Sequence, residues 1–364
     1  MELTAKILEI CKAIQQVPAP THCEKKRAEF VLEEFKKEGL IDTHIDTLGN
    51  VYGFIPGESD KKSIIVSAHL DTVFPSDTDL NLKEEEGRIY GPGIGDNSLG
   101  VAGLFGLLWM LREENIVLPG GVWLVANVCE EGLGDLRGMR EVVKKFGDDA
   151  FAYLVLEGTG FRQLYHRGLG VKRYEVKVIT EGGHSWGDYG KPSAIHEIAG
   201  FVSAITSIKL PDIPRTSLNV GIIEGGTSIN TIAAEARIEL DLRSEGNSEL
   251  AELASKVEKA VNDHSREGFE YRIKVIGDRP SGMISEDHAL IKLAKDAVIS
   301  QGEEPLCTIG STDANIPLSL GFPAITIGLT TGGGVHTIQE YIDKTPLKKG
   351  MQQLFEIVKN VWSI

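Results

Sequence analysis

Apolar residues are arranged in two different ways along this chain. From the start to Glu157, and again beyond Pro280, they come in short unbroken runs. Ser63–Ser67, Gly121–Val128, Ala152–Leu156 and Ala324–Ile327 read as strands buried on both faces, and Asn50–Ile55 as a further strand. Between these runs lie stretches of helical period: Ala5–Ile14, Glu24–Lys37, Asn97–Glu113, Leu136–Phe146, Ala289–Ser300 and Leu347–Val361. Pro18 and Pro20 separate the first two. Strands alternating with helices predict an α/β domain with a mostly parallel central sheet.

The middle of the chain differs. Val171–Thr180 alternates apolar and polar residues, so one face of that strand is wet. It is followed by a helix (Ser193–Ile208), two strands joined by a Gly-rich turn (Ser217–Ile223 and Glu235–Leu242), an amphipathic helix (Glu249–Ser265) and an alternating strand (Glu270–Ile276). The order β-α-β-β-α-β is that of a ferredoxin-like unit. The layout expected is a discontinuous α/β domain, residues 1–171 and 279–364, interrupted by an α+β domain over residues 172–278.

A chain of 364 residues is long enough for two domains. The formal charge of -15 argues against nucleic acid or an anionic membrane surface as partner. The four cysteines form no CxxC pair, which points to a reducing compartment, and the amphipathic start MELTAKILEICKAIQQ lacks the core of a signal peptide. The longest apolar stretch, VAGLFGLLWML, falls short of the ~20 residues of a membrane span. These features place the protein in the cytoplasm.

Candidate chemistry gathers at the ends of the apolar runs. His69 and Asp71 follow SIIVS, and residues i and i+2 of an extended segment point the same way, so the carboxylate can orient the imidazole. Asp96 follows the turn GPGIG, where it can cap the next helix or offer two oxygens to two cations. Glu130 and Glu131 end GVWLVANV, and neighbouring strand positions point apart, so one acid can bind metal while the other takes a proton. Glu157 ends AYLVL, and His336 follows Gly332-Gly333-Gly334. Taken singly, each is an ordinary loop residue. Together they are a ligand set of imidazole and carboxylate without thiolate, which suits Zn and also Mn or Co. One His and one carboxylate per ion, with Asp96 shared, would place two cations ~3.5–4 Å apart around a bridging water.

These residues, in this order and over nearly the whole chain, resemble the M20 family of metallopeptidases and amidohydrolases, which includes carboxypeptidases, aminoacylases, tripeptidases and desuccinylases. RIYGPGIGDN and STDAN look closest to the carboxypeptidase-like branch. The resemblance implies that His69 and Glu157 hold one metal, Glu131 and His336 the other, with Asp96 between them. It implies Asp71 as orienter of His69 and Glu130 as general base. In the inserted domain, His184 of EGGHSWG matches the family's oxyanion-stabilising lid histidine, acting in its own or a partner subunit, while Asn230 and Arg243 match substrate-contacting positions. It further implies an inserted lid domain through which a homodimer can form.

Three stretches depart from the family pattern: Asn97-Ser98-Leu99 after the bridging Asp, Trp186-Gly187-Asp188 after Ser185, and Ala233 where proline is common. They bear on substrate rather than on chemistry. The reading is therefore a metal-dependent hydrolase of an amide bond in small peptides, an exopeptidase. The alternatives are an N-acyl amino acid deacylase and a non-catalytic binding module that has kept the fold. His166 in LYHRG and Asp313 in GSTDAN are further candidates for substrate contact, Asp313 equally for a helix cap.

Overall fold

The structure is a computed structural model and describes residues 2–364. The chain forms two compact units, one of residues up to Gly168 together with Gly282–Ile364, the other Leu169–Ser281.

A nine-stranded sheet organises the larger unit. Its order is Ile41–Ile45, Val51–Ile55, Gly120–Asn127, Lys61–His69, Ala150–Glu157, Ala324–Gly328, Gln163–Gly168 and Gly282–Met283, with Leu306–Gly310 also paired to Gln163–Gly168. The four middle strands, Gly120–Asn127 through Ala324–Gly328, are parallel. Antiparallel strands close both edges. The middle strands are the unbroken apolar runs. Ile64, Ile65, Val66, Leu124, Val125, Leu154, Val155, Ile325 and Ile327 are wholly buried, each contributing ~1.5–3 kcal/mol of transfer free energy. Register pairs His69 with Asn127 and Glu157 with Gly328, so the carboxyl ends of these strands lie along one edge.

Helix Gly100–Glu113 packs on Lys61–His69 and against helices Leu3–Gln15 and Leu347–Asn360. With its lead-in, Ile94–Glu113, it has the 20-residue length and the apolarity of a membrane span, yet 89% of its apolar window is buried inside the protein. It is the central core helix of the larger unit.

This helix starts at Gly100, not at Asn97. Ile94–Leu99 is a wide turn in which Asp96 (φ -114°, ψ 89°) and Asn97 (φ -134°, ψ 38°) leave helical geometry. Asn97, not Asp96, meets its first residue, the Asn97 Oδ1 accepting from the Gly100 N–H at 3.1 Å. The strands Ile41–Ile45, Gln163–Gly168 and Leu306–Gly310 carry no unbroken apolar run because they are partly exposed, toward the margins of the sheet. The same holds for a small sheet of Lys83–Glu85, Arg88–Tyr90, Tyr341–Asp343 and Gly332–Gly333.

The smaller unit is an antiparallel sheet ordered Thr216–Gly225, Glu235–Ser244, Gly170–Ile179, Glu270–Arg279. Helices Ala194–Thr206 and Asn247–His264 supply the missing elements of the β-α-β-β-α-β order. Tyr174, Val176, Val178, Ile238, Leu240 and Leu242 alternate onto the buried face and form a separate core with the two helices. The other face carries charge: Arg237 pairs with Glu224, Glu175 and Glu239, and Arg173 with Asp241.

Candidate metal centre

The carboxyl edge of the parallel strands collects the expected ligands. His69, the last residue of its strand, is 2% exposed. Its Nε2 lies 3.0 Å from Asp96 Oδ1 and 3.7 Å from Glu157 Oε2. His336 Nε2 lies 3.1 Å from Asp96 Oδ2 and 3.0 Å from Glu131 Oε1. The two oxygens of Asp96 thus face two different histidines. Donor atoms of His69, Asp96 and Glu157 lie within 4.8 Å of one another, as do those of Asp96, Glu131 and His336, and those of His69, Glu130 and Glu131.

Buried groups hold this arrangement. Glu340, wholly buried, accepts the backbone N–H groups of Gly93, Gly95 and Asp96, each at 2.7 Å, and so shapes the GPGIGD turn. Asn97 ties that turn to the neighbouring strand: its Nδ2 donates to Leu156 O at 2.8 Å and its Oδ1 accepts from Gly158 N at 2.9 Å. Gly158 is required there, because a Cβ would overlap the carbonyl oxygen of Gly95.

Asp71 does more than stand beside His69. His69 Nδ1 is 3.0 Å from the Asp71 backbone carbonyl and 3.5 Å from its carboxylate. That carboxylate, wholly buried, accepts the backbone N–H groups of Glu130 and Glu131, both at 2.9 Å, and the Thr21 hydroxyl at 2.9 Å. It therefore positions both acids. The acids are not placed by strand alternation, since the strand ends at Asn127 and Cys129 turns the chain in the left-handed region (φ 60°). Glu24 supports this turn by accepting the Cys129 N–H at 3.1 Å. Arg27, 2% exposed, braces the other side by donating to Leu70 O at 2.7 Å and Val17 O at 2.8 Å.

The charge balance is that of a cation site. Asp96, Glu130, Glu131 and Glu157 surround two imidazoles. Burial, then the neighbouring carboxylates, push Glu131 up to about 8 and Glu157 up to about 7, against the hydrogen bonds of the histidines. Burial opposes protonation of His69, but its hydrogen bonds to the Asp71, Asp96 and Glu157 carboxylates raise it well above its ordinary range. Asp96 is held below its ordinary range by both imidazoles in spite of burial. Without a dication these acids compete for protons. With one, all can ionise as hard oxygen donors beside imidazole, a set that fits zinc, manganese or cobalt.

Asp313, wholly buried, joins this edge through Asn127, whose Nδ2 donates to its Oδ2 at 2.7 Å. Its Oδ1 has no hydrogen-bond partner, and burial followed by the charge of Glu130 raises its carboxyl well above the ordinary range. Glu340 and Arg27 escaped sequence reasoning. Arg27 had a signal, a charge on the apolar stripe shared with Ala28, Val31 and Phe35. Glu340 had only its place four residues after His336.

In the smaller unit His184 and Asn230 come together. His184 pairs with Thr231 across two short strands, and Ser185 N donates to Asn230 O at 3.0 Å. His184 Nδ1 accepts from the N–H groups of Trp186 and Gly187, both at 3.2 Å, which leaves Nε2 as the protonated nitrogen. Arg243 is not with them. It lies eight positions beyond Glu235 on its strand, ~26 Å away at ~3.3 Å per residue, and donates to Asp241 at 2.6 Å.

Fold and site together define a metal-dependent hydrolase of peptide bonds. The chain belongs to the Peptidase family M20/M25/M40, whose profile matches residues 65–360. It is 22% identical to the uncharacterized protein YqjE of Bacillus subtilis, over 97% of this chain and 98% of that one. It is 24% identical to carboxypeptidase G2 of a Pseudomonas species, over 91% of this chain and 83% of that one. Among solved structures, a tripeptidase from Staphylococcus aureus superposes with a TM-score of 0.83 at 22% identity, covering 99% of both chains.

Proposed function

We propose that the chain is a two-metal exopeptidase acting on small peptides. The observation that carries this reading is the division of Asp96 between His69 and His336, at 3.0 and 3.1 Å, which sorts the ligands into two sets sharing one carboxylate. His69 and Glu157 would hold one ion, Glu131 and His336 the other, with zinc as the metal. Bound there, the two cations would lower the pKa of a water toward neutrality and polarise the scissile carbonyl.

The chain's own residues supply the rest. Glu130, held by Asp71 through its backbone N–H at 2.9 Å, takes the proton from the attacking water and passes it to the departing amine. His184 offers an Nε2–H to the carbonyl oxygen as it gains charge, and Asn230 contacts the substrate. Donors of this kind contribute ~3–4 kcal/mol. Arg243 is proposed as a further substrate contact. The exposed edge strand Thr216–Gly225 is the surface through which the smaller unit would dimerise. Four free cysteines fit work in the cytoplasm.

Metal analysis of the gently purified protein, with a panel of dipeptides, tripeptides, N-acetyl and N-succinyl amino acids, tests the reading. At least two bound divalent ions and peptide cleavage from one terminus are expected. Preference for the acylated amino acids would replace the exopeptidase with a deacylase. A protein that neither holds nor rebinds metal would overturn both.

A further inference from the structure

A second cluster of metal-type donors lies in the larger unit and shares no residue with the centre described above. His166, Glu286 and Cys307 each offer a donor atom, and the three atoms lie within 4.8 Å of one another. They come from three segments of the sheet margin. His166 is on strand Gln163–Gly168, Cys307 is on the parallel neighbour Leu306–Gly310, and Glu286 follows the antiparallel neighbour Gly282–Met283.

We propose that His166, Glu286 and Cys307 form an additional, structural site for a zinc-type divalent cation. The histidine carries the argument. It is 3% exposed, and its Nδ1 lies 2.7 Å from the Ile284 carbonyl oxygen. A carbonyl only accepts, so Nδ1 donates to it and Nε2 is the nitrogen left for a metal. This is how a backbone carbonyl fixes the tautomer of a metal-bound imidazole. Nε2 faces Glu286 Oε1 at 3.9 Å, too far for a hydrogen bond. Two ligands of a tetrahedral zinc, each bonded at ~2.0–2.2 Å, stand ~3.4 Å apart, so a small closure would admit the ion. Imidazole, carboxylate and thiolate are all zinc or cobalt donors, and three of them leave a fourth place for water.

Lys295 competes for this place. Its Nζ lies 2.8 Å from Glu286 Oε2, so the ammonium partly balances the carboxylate until a cation displaces it. Its long, partly exposed side chain lets it withdraw. The location gives the site a role. Strand Gln163–Gly168 leads out of the larger unit into the inserted one, and Gly282–Met283 leads back. A cation here would cross-link both connections to Leu306–Gly310.

The proposed catalytic ligands contain no thiolate, so a thiolate signature reads this site alone. The full chain, loaded with cobalt(II), should show a sulfur-to-cobalt charge-transfer band in the near ultraviolet. Cys307→Ser should lose the band and one equivalent of metal while keeping its peptidase activity. Glu286→Gln should weaken cobalt binding at the band at least tenfold, and Lys295→Met should strengthen it. Absence of the band in the wild-type chain, its persistence in Cys307→Ser, or an unchanged affinity in Glu286→Gln would each overturn the proposal. A wild-type chain that shows the band yet binds one equivalent of metal and no more would count against the two-metal centre and leave this site standing.

Discussion

The two units treat their carboxylates in opposite ways. On the exposed sheet face of the smaller unit, acids have a guanidinium or ammonium against them: Arg237 with three glutamates, Arg173 and Arg243 with Asp241, Lys177 with Glu235. Although burial works against it, the hydrogen bonds of Arg243 and Arg173 hold Asp241 below its ordinary range. At the carboxyl edge of the larger sheet, acids of the same chemistry face imidazoles and one another, and Glu131 rises to about 8. The lesson concerns partners rather than acid content. Carboxylates satisfied by protein cations make a surface, whereas carboxylates gathered around two imidazoles without such cations make a place for metal.

The sharpest way to break this comparison is to remove Glu130. Glu130→Ala should lower kcat by ~10²–10⁴-fold with metal content unchanged, read by steady-state kinetics beside metal analysis. Near-normal turnover would show that the proton is handled elsewhere. Asp71→Asn should follow at ~10–100-fold in metal affinity or activity, because one of the Glu130 and Glu131 N–H groups loses its acceptor. An unaltered metal titration would reduce Asp71 to packing.

Next comes the pH dependence of the metal-free protein. Folded Glu131 and Glu157 titrate at about 8 and about 7, above their ordinary 4.5, and His336 at about 10, above 6.5. The folded state then holds more protons than the unfolded one, so stability falls as pH rises through these values. Chelated protein should melt at progressively lower temperature from pH 5 to 9, a window taken from those shifts, while the metal-loaded protein should not. Parallel curves for the two forms would contradict the charge balance drawn for the centre. The smallest effect belongs to the other side of the comparison. Asp241→Asn should cost no more than ~1 kcal/mol in chemical denaturation and leave the metal content intact.

Much of the frame was legible because doubly buried parallel strands must be continuously apolar, as Ser63–Ser67 and Ala152–Leu156 are. The wet and dry faces of the smaller sheet were legible in Val171–Thr180 for the complementary reason. Margin strands such as Ile41–Ile45 and Gln163–Gly168 were not, since partial exposure removes the constraint that writes a pattern. The core helix starts three residues beyond the start of its periodic run because Asn97 turns its side chain to the Gly100 and Gly158 N–H groups, the second distant in sequence.

By itself, then, the amino-acid order determined the two kinds of sheet and which chemically capable side chains stand at the ends of apolar runs. Both follow from local periodicity and from burial that each strand must satisfy wherever its neighbours lie. Tertiary structure alone decided that Asp96 faces two histidines, that the Asp71 carboxylate holds Glu130 and Glu131, and that Glu340 and Arg27 are buried braces. Those relations join segments up to 247 residues apart, as Glu340 and Gly93 are, and leave no period in the sequence to read.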